Sequence, residues 1–167
     1  MPYPKSEEEL AHLFESLGAR SASQWVKYVV ADPEPQLARY FFLKQAWERL
    51  ISEEDTHWIE ESVARSKKDP KAPYAGMGAA LERLLAVGAK PEDLTEIARC
   101  LQAQALFDVC YLLDGRAHTQ PGLENINWSL FRVNEEGQPY GPPIAGLYES
   151  ILDTEPSGRE MRPKGDA

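Results

Sequence analysis

Apolar positions recur along this chain at intervals of three and four residues, a period that predicts helices rather than strands. Ser6 and Glu9 have capping-box spacing ahead of "EEELAHLFESLG", which sets Leu10, Leu13, Phe14 and Leu17 on one face before Gly18. A short second helix fits "SASQWVKYVVADP", with Trp25, Tyr28 and Val29 on its apolar side and a stop before Pro33. In "EPQLARYFFLKQAWERLI" the stripe is Leu37, Tyr40, Phe41, Trp47, Leu50 and Ile51, with Lys44 and Glu48 outside it. Ser52 is positioned to cap "EEDTHWIEESVARSKK", a helix with a narrow apolar face of Trp58, Ile59 and Val63, which places it at the periphery.

A proline-rich break from Asp69 to Pro73 precedes "PYAGMGAALERLLAVGA". Pro91 then sits where a first-turn proline belongs, and the helix it opens runs to a glycine stop at Gly115. Leu94, Ile97, Ala98, Leu101 and Ala105 form its stripe, and from Leu106 to Leu113 it is apolar almost all round, with Asp108 the sole charge. Such a helix is expected at the centre of a bundle. After the loop-like "RAHTQPGLENIN", a hairpin is expected near 127–140, turning over Asn134 to Gly137. A last short helix fits "PPIAGLYESILD". The expected fold is mainly α: one domain over 1–153, a bundle of six or seven helices with a small C-terminal β-hairpin. Residues 154–167 read as a flexible tail, with folding back onto the domain or a docking arm as the alternatives.

Composition narrows the functions. The 167 residues are 43% hydrophobic, include 16 aromatics and carry a net charge of −9. Residues 1–88, 89–125 and 126–167 each net −3, so the acidity is spread rather than held in one tail. Nucleic acid and anionic membrane are disfavoured as partners, since both need Lys and Arg to meet phosphate. A basic protein partner would be steered favourably. No basic region followed by an apolar run opens the chain, so a cytoplasmic protein is expected. Cys100 and Cys110 fall on one helix about 15 Å apart along its axis, beyond disulfide reach.

The pair Gly76-x-Gly78 invites comparison with phosphate-binding loops, and it fails that comparison. No Lys-Ser/Thr follows, Leu81 stands at the third glycine position of a dinucleotide fingerprint, and no strand precedes. A bare helix N-terminus can still hold an anion, but small residues that let another helix approach closely are the preferred reading. His57 with Glu60 and Glu61 has ligand-like spacing, yet no second helix repeats the pair, so a solvated face is preferred and neither metal nor cofactor is expected. No Gly-x-Ser-x-Gly elbow occurs. Low-ranking ligand-binding candidates are Asp108, a carboxylate inside an apolar run, His118 in a loop, and Glu149, which pairs at i, i+4 with Asp153.

The run "WSLFRVNEEGQPYGPPIAGLYESILDTEPSGREMRP", with "APYAGMGAALERLLAVGA", resembles an uncharacterised bacterial family grouped as a domain of unknown function. The likeness covers about half the chain and implies no site residues. In size and acidity the chain also resembles immunity proteins that neutralise bacterial toxins. The leading expectation is therefore a non-catalytic, cytoplasmic protein-interaction domain with a basic partner; a homodimer is compatible with it. The alternative is an enzyme or small-molecule binder with a pocket between the central helix and the hairpin.

Overall fold

The computed structural model describes residues 6–27, 34–115, 121–123 and 125–164. Among these, the chain is mostly helical: α1 (Glu7–Ser16), α2 (Ala22–Lys27), α3 (Glu34–Trp47), α4 (His57–Lys68), α5 (Ala75–Ala86), α6 (Pro91–Leu113) and α7 (Leu147–Ser150). A two-stranded antiparallel hairpin, β1 (Leu130–Val133) and β2 (Pro139–Ile144), lies between α6 and α7, and a 3-10 turn over Leu152–Thr154 follows. The chain divides into two compact units, one of residues 1–47 and 105–167, the other of 48–104.

The first unit is organised by an aromatic cluster. Ser6 caps α1 by accepting from the Glu9 amide at 3.1 Å, and α1 buries Leu10 and Phe14. Phe14 stacks on Trp25 at 5.7 Å between centroids and meets the Tyr40 ring edge-on at 5.3 Å, while Trp25 and Tyr40 cross at 5.0 Å. Leu37 and Val26 complete this core. The buried face of α3 is Leu37, Tyr40, Leu43 and Trp47; Phe41, expected inside, is half exposed. Tyr28 and Val29 lie outside the described residues.

α3 also carries the C-terminal segment. The Trp47 indole donates to the Ile151 carbonyl at 2.9 Å and to Thr154 at 3.2 Å, next to the fully buried Leu147 and Ile151. Beyond the 3-10 turn, Glu155 is 1% exposed. Its carboxylate accepts from the Ser157 amide at 3.0 Å and hydroxyl at 2.6 Å, and its carbonyl accepts from Arg20 at 2.7 Å. The hairpin turns over Asn134 and Gly137, the glycine at φ +77°, and the Asn134 side chain accepts from the amides of Glu136 and Gln138. β2 extends through Pro142 and Pro143 to Ile144, so those prolines belong to a strand rather than to the last helix.

The second unit rests on α4 against α5. Gly78 is buried there: an added Cβ would stand 2.1 Å from the Ser62 carbonyl oxygen and 2.6 Å from the Ser66 Cβ. The expected apolar face of α4 does pack: Ile59 is buried, with Trp58 and Val63 against the same core, and Ser62 and Ser66 are buried beside them. Two of the three buried residues of α4 are thus serines, which hydrophobic periodicity does not register. Gly76, by contrast, is exposed with open space where a side chain would go. Ile59, Leu81 and Leu94 form the apolar core of this unit.

Helix α4 begins at His57, not after Ser52, because α6 engages the backbone of the intervening segment. Arg99 donates to the Ile51 carbonyl at 2.7 Å, Thr95 to the Asp55 carbonyl at 3.0 Å, and Gln102 accepts from the Ile51 amide at 2.9 Å. These groups are thus diverted from a helical ladder. The Trp58 indole completes the arrangement by donating to Thr95 at 3.0 Å.

Candidate interaction surface

Those contacts orient α6 contrary to its hydropathy. At about 100° per residue, Thr95, Arg99 and Gln102 lie on the side of the helix opposite Ile97 and Leu101. Thr95 and Arg99 are buried, whereas Ile97 and Leu101 are 58% and 66% exposed. In the part of α6 that belongs to the first unit, Cys110 is buried but Val109 and Leu112 are 49% and 46% exposed. In each unit taken by itself, α6 thus leaves large apolar side chains exposed. Arg99 is its only basic residue, and it is buried.

In the first unit other exposed apolar groups accompany Val109 and Leu112. Trp128 is 46% exposed, and its indole N–H donates to the Leu112 carbonyl at 2.7 Å, covering the end of α6. Phe131, Val133 and Tyr140 of the hairpin are exposed as well. Tyr148 of α7 crosses Phe107 at 5.9 Å and Tyr111 at 5.3 Å, and its amide donates to Asp114 at 3.1 Å, which fixes α7 to α6. Scattered exposed apolar residues are ordinary on any protein. On α6 the buried residues are Leu94, Thr95, Arg99, Ala103 and Cys110, so apolar and polar groups share the packed side.

Of the three candidates from sequence, Asp108 stands exposed on the outward face of α6, beside Val109. Glu149 is exposed on α7 and accepts a hydrogen bond from the Tyr148 hydroxyl at 2.9 Å. His118 lies outside the described residues. A pocket of about 60 Å³ in the first unit lies elsewhere, lined by Gln24, Trp25, Arg39, Ser150 and Asp153. Arg39 sits over the Trp25 ring at 5.4 Å and donates to the Ala145 carbonyl at 3.2 Å and to the Gln36 side chain. That volume suits water rather than a metabolite, since ligand pockets run to roughly 300–1,000 Å³.

His57 does contact Glu60 at 3.5 Å and Glu61 at 3.6 Å, as its spacing implies, on an exposed face. Among the described residues no group of three or more His, Cys, Asp or Glu is arranged to hold a metal ion. No helix among them is long and apolar enough to cross a membrane.

The two cysteines differ sharply. Cys100 is exposed, whereas Cys110 is fully buried, and burial, assisted by the nearby negative charge of Asp114, pushes its thiol up to about 11. A thiol must ionise to react. Treatment of the native chain with an alkylating reagent near pH 8 is therefore expected to modify Cys100 and spare Cys110, both reacting after denaturation. Mass spectrometry of the digested protein reads this directly, and equal native labelling would contradict the burial of Cys110.

Comparison with known proteins finds no matching family model, no matching curated protein and no matching solved structure. Function therefore has to be argued from the surface itself.

Proposed function

We propose that this chain is a non-catalytic, cytoplasmic protein-interaction domain, immunity-like in that it engages a basic partner. The observation that supports the reading is the apolar face of the C-terminal part of α6, where Val109 and Leu112 are 49% and 46% exposed and Trp128, bonded to the Leu112 carbonyl, is 46% exposed. Leaving large apolar side chains half in water forgoes roughly half of the about 1.5–3 kcal/mol that full burial supplies, a cost that a docked partner would recover. The net charge of −9 supports a partner of opposite sign by raising its rate of encounter.

The test is affinity purification from the cells that make the protein, at low and at high salt. A basic protein recovered in stoichiometric amount at low salt, and released as salt rises past about 0.2 M, is the expected result. Recovery of the bare chain at every salt concentration would count against the reading. A thermal-shift screen of nucleotides, metals and metabolites is expected to be flat; a reproducible rise in melting temperature would favour a small-molecule binder instead.

A further inference from the structure

Resting on that reading, we infer that the outward face of the C-terminal part of α6, walled by Trp128, is a seat for a basic amphipathic helix of the partner. The argument stays within the first unit. Ala105, Val109 and Leu112 are exposed at i, i+4 and i+7, the spacing of a helix-packing seam. Ala105 has no bulk beyond Cβ, so a second helix can approach to the usual 8–10 Å between axes. Trp128 stands at the end of this seam. Its one polar atom is engaged by the Leu112 carbonyl at 2.7 Å. What it offers a partner is therefore ring surface, the kind of contact that concentrates binding energy.

Charge selects the occupant. Between Ala105 and Glu155 the exposed acidic residues are Asp108, Glu135, Glu136, Glu149 and Asp153, against two basic residues in the sequence, Arg116 and Arg132. Of the two, Arg132 is buried, with its guanidinium 4.8 Å from the Tyr140 ring centroid; Arg116 lies outside the described residues. Asp108 sits on the seam itself, between Ala105 and Val109. The last turn of α6 contains no basic residue. A second copy of this chain would bring acidic groups against acidic groups. A helix with a leucine stripe flanked by lysine or arginine answers both the apolar seam and the charge.

The experiment uses the full chain and a synthetic helix-forming peptide of about 18 residues, long enough to be helical once docked. One peptide has leucine at i, i+3, i+4 and i+7 with lysine between; a second has the same composition scrambled. Backbone amide shifts are followed by NMR during titration. The patterned peptide is expected to shift the amides of 105–113 and the Trp128 indole N–H, and to bind at least about tenfold more tightly than the scrambled one. The double variant Val109→Ser/Leu112→Ser should weaken it by about tenfold or more, with an unchanged melting temperature because both side chains are half exposed.

Shifts centred instead on the acidic first turn of α1, or equal binding of the scrambled peptide, would overturn the inference by showing attraction through charge alone. So would sedimentation of the unliganded chain as a dimer that the double variant dissolves, since the occupant would then be a second copy. A partner captured from cells and retained by the double variant would leave the interaction reading standing and remove this seat for it. Failure to capture any partner would instead remove the broader reading.

Discussion

Gly78→Val is expected to lower stability by about 3 kcal/mol or more, among the larger effects a single substitution can have. Local propensity argues the other way for the milder Gly78→Ala, which should gain about 1 kcal/mol in an exposed helix. Packing decides, because any Cβ at this position would stand 2.1 Å from the Ser62 carbonyl oxygen, a backbone atom that cannot rotate away. Relief would require α4 and α5 to separate, loosening Ile59 and Leu81 from their shared core. For a chain of this size the valine variant should melt about 6–12 °C lower. Gly76→Ala is the control, since open space awaits its methyl group, and it should be neutral or slightly stabilising. Calorimetry or urea titration of the three variants checks the ordering, which reverses if Gly78 serves ligand binding instead.

Phe14→Ala should be comparably damaging to the first unit, by about 3–5 kcal/mol. Phe14 is fully buried and contacts both Trp25 and Tyr40, so its removal leaves a cavity and deletes two ring contacts worth about 0.5–1.5 kcal/mol each. Loss of near-ultraviolet circular dichroism at a lower urea concentration measures it, and Phe14→Leu should retain part of the stability. A shift of less than about 1 kcal/mol for Phe14→Ala would place the centre of this core elsewhere.

Two buried groups give the chain an alkaline limit. Burial raises the Tyr40 hydroxyl above its usual 10.0, with Arg20 opposing, and raises the Cys110 thiol from 9.0 to about 11. Both groups are neutral when protonated. Their contribution is therefore complete below the unfolded values and is lost as pH rises through the folded ones. Stability is expected to be level with respect to these groups below pH 9 and to fall from there to pH 11 and beyond, with Cys110→Ala reducing the slope.

Much of the fold could be read from the sequence because period and punctuation agreed. Ser6 caps α1, Phe14, Trp25 and Tyr40 were each on a legible apolar face, and Asn134 to Gly137 turns the hairpin as its residues require. The misreadings share one physical cause. Hydropathy identifies an apolar face but does not say whether that face is covered. In α4 the packed face includes, besides the expected Trp58, Ile59 and Val63, the serines Ser62 and Ser66, which count as polar yet are small enough to admit Gly78. In α6 the stripe of Leu94, Ile97, Ala98, Leu101 and Ala105 reads as core, and Leu94 is indeed buried, but Ile97 and Leu101 are exposed while Thr95 and Arg99 are buried. The side chains of Thr95, Arg99 and Gln102 satisfy the backbone of Ile51 and Asp55. A polar stripe at i, i+4 and i+7 opposite an apolar one was visible, but only contacts distant in sequence could decide which turned inward.

The candidate surface was correspondingly hard to find. Val109 and Leu112 were visible as part of an apolar run and assigned to the interior; Trp128 was visible only as the start of a strand. Its bond to the Leu112 carbonyl links positions sixteen residues apart, across a loop that no short motif spans. Asp108 stood out as the single charge in that run, and it stands exposed beside Val109.

The most direct test of the interaction reading is photo-crosslinking in the cells that make the protein, with a photoreactive amino acid placed at Leu112. Placement at Val87, an apolar residue of the second unit that is 82% exposed, provides the comparison. The account predicts a crosslink from position 112 to a single basic protein, diminished at high salt, and none from position 87. Equal crosslinking from both positions, or none from position 112 while a partner is demonstrably bound, would contradict it.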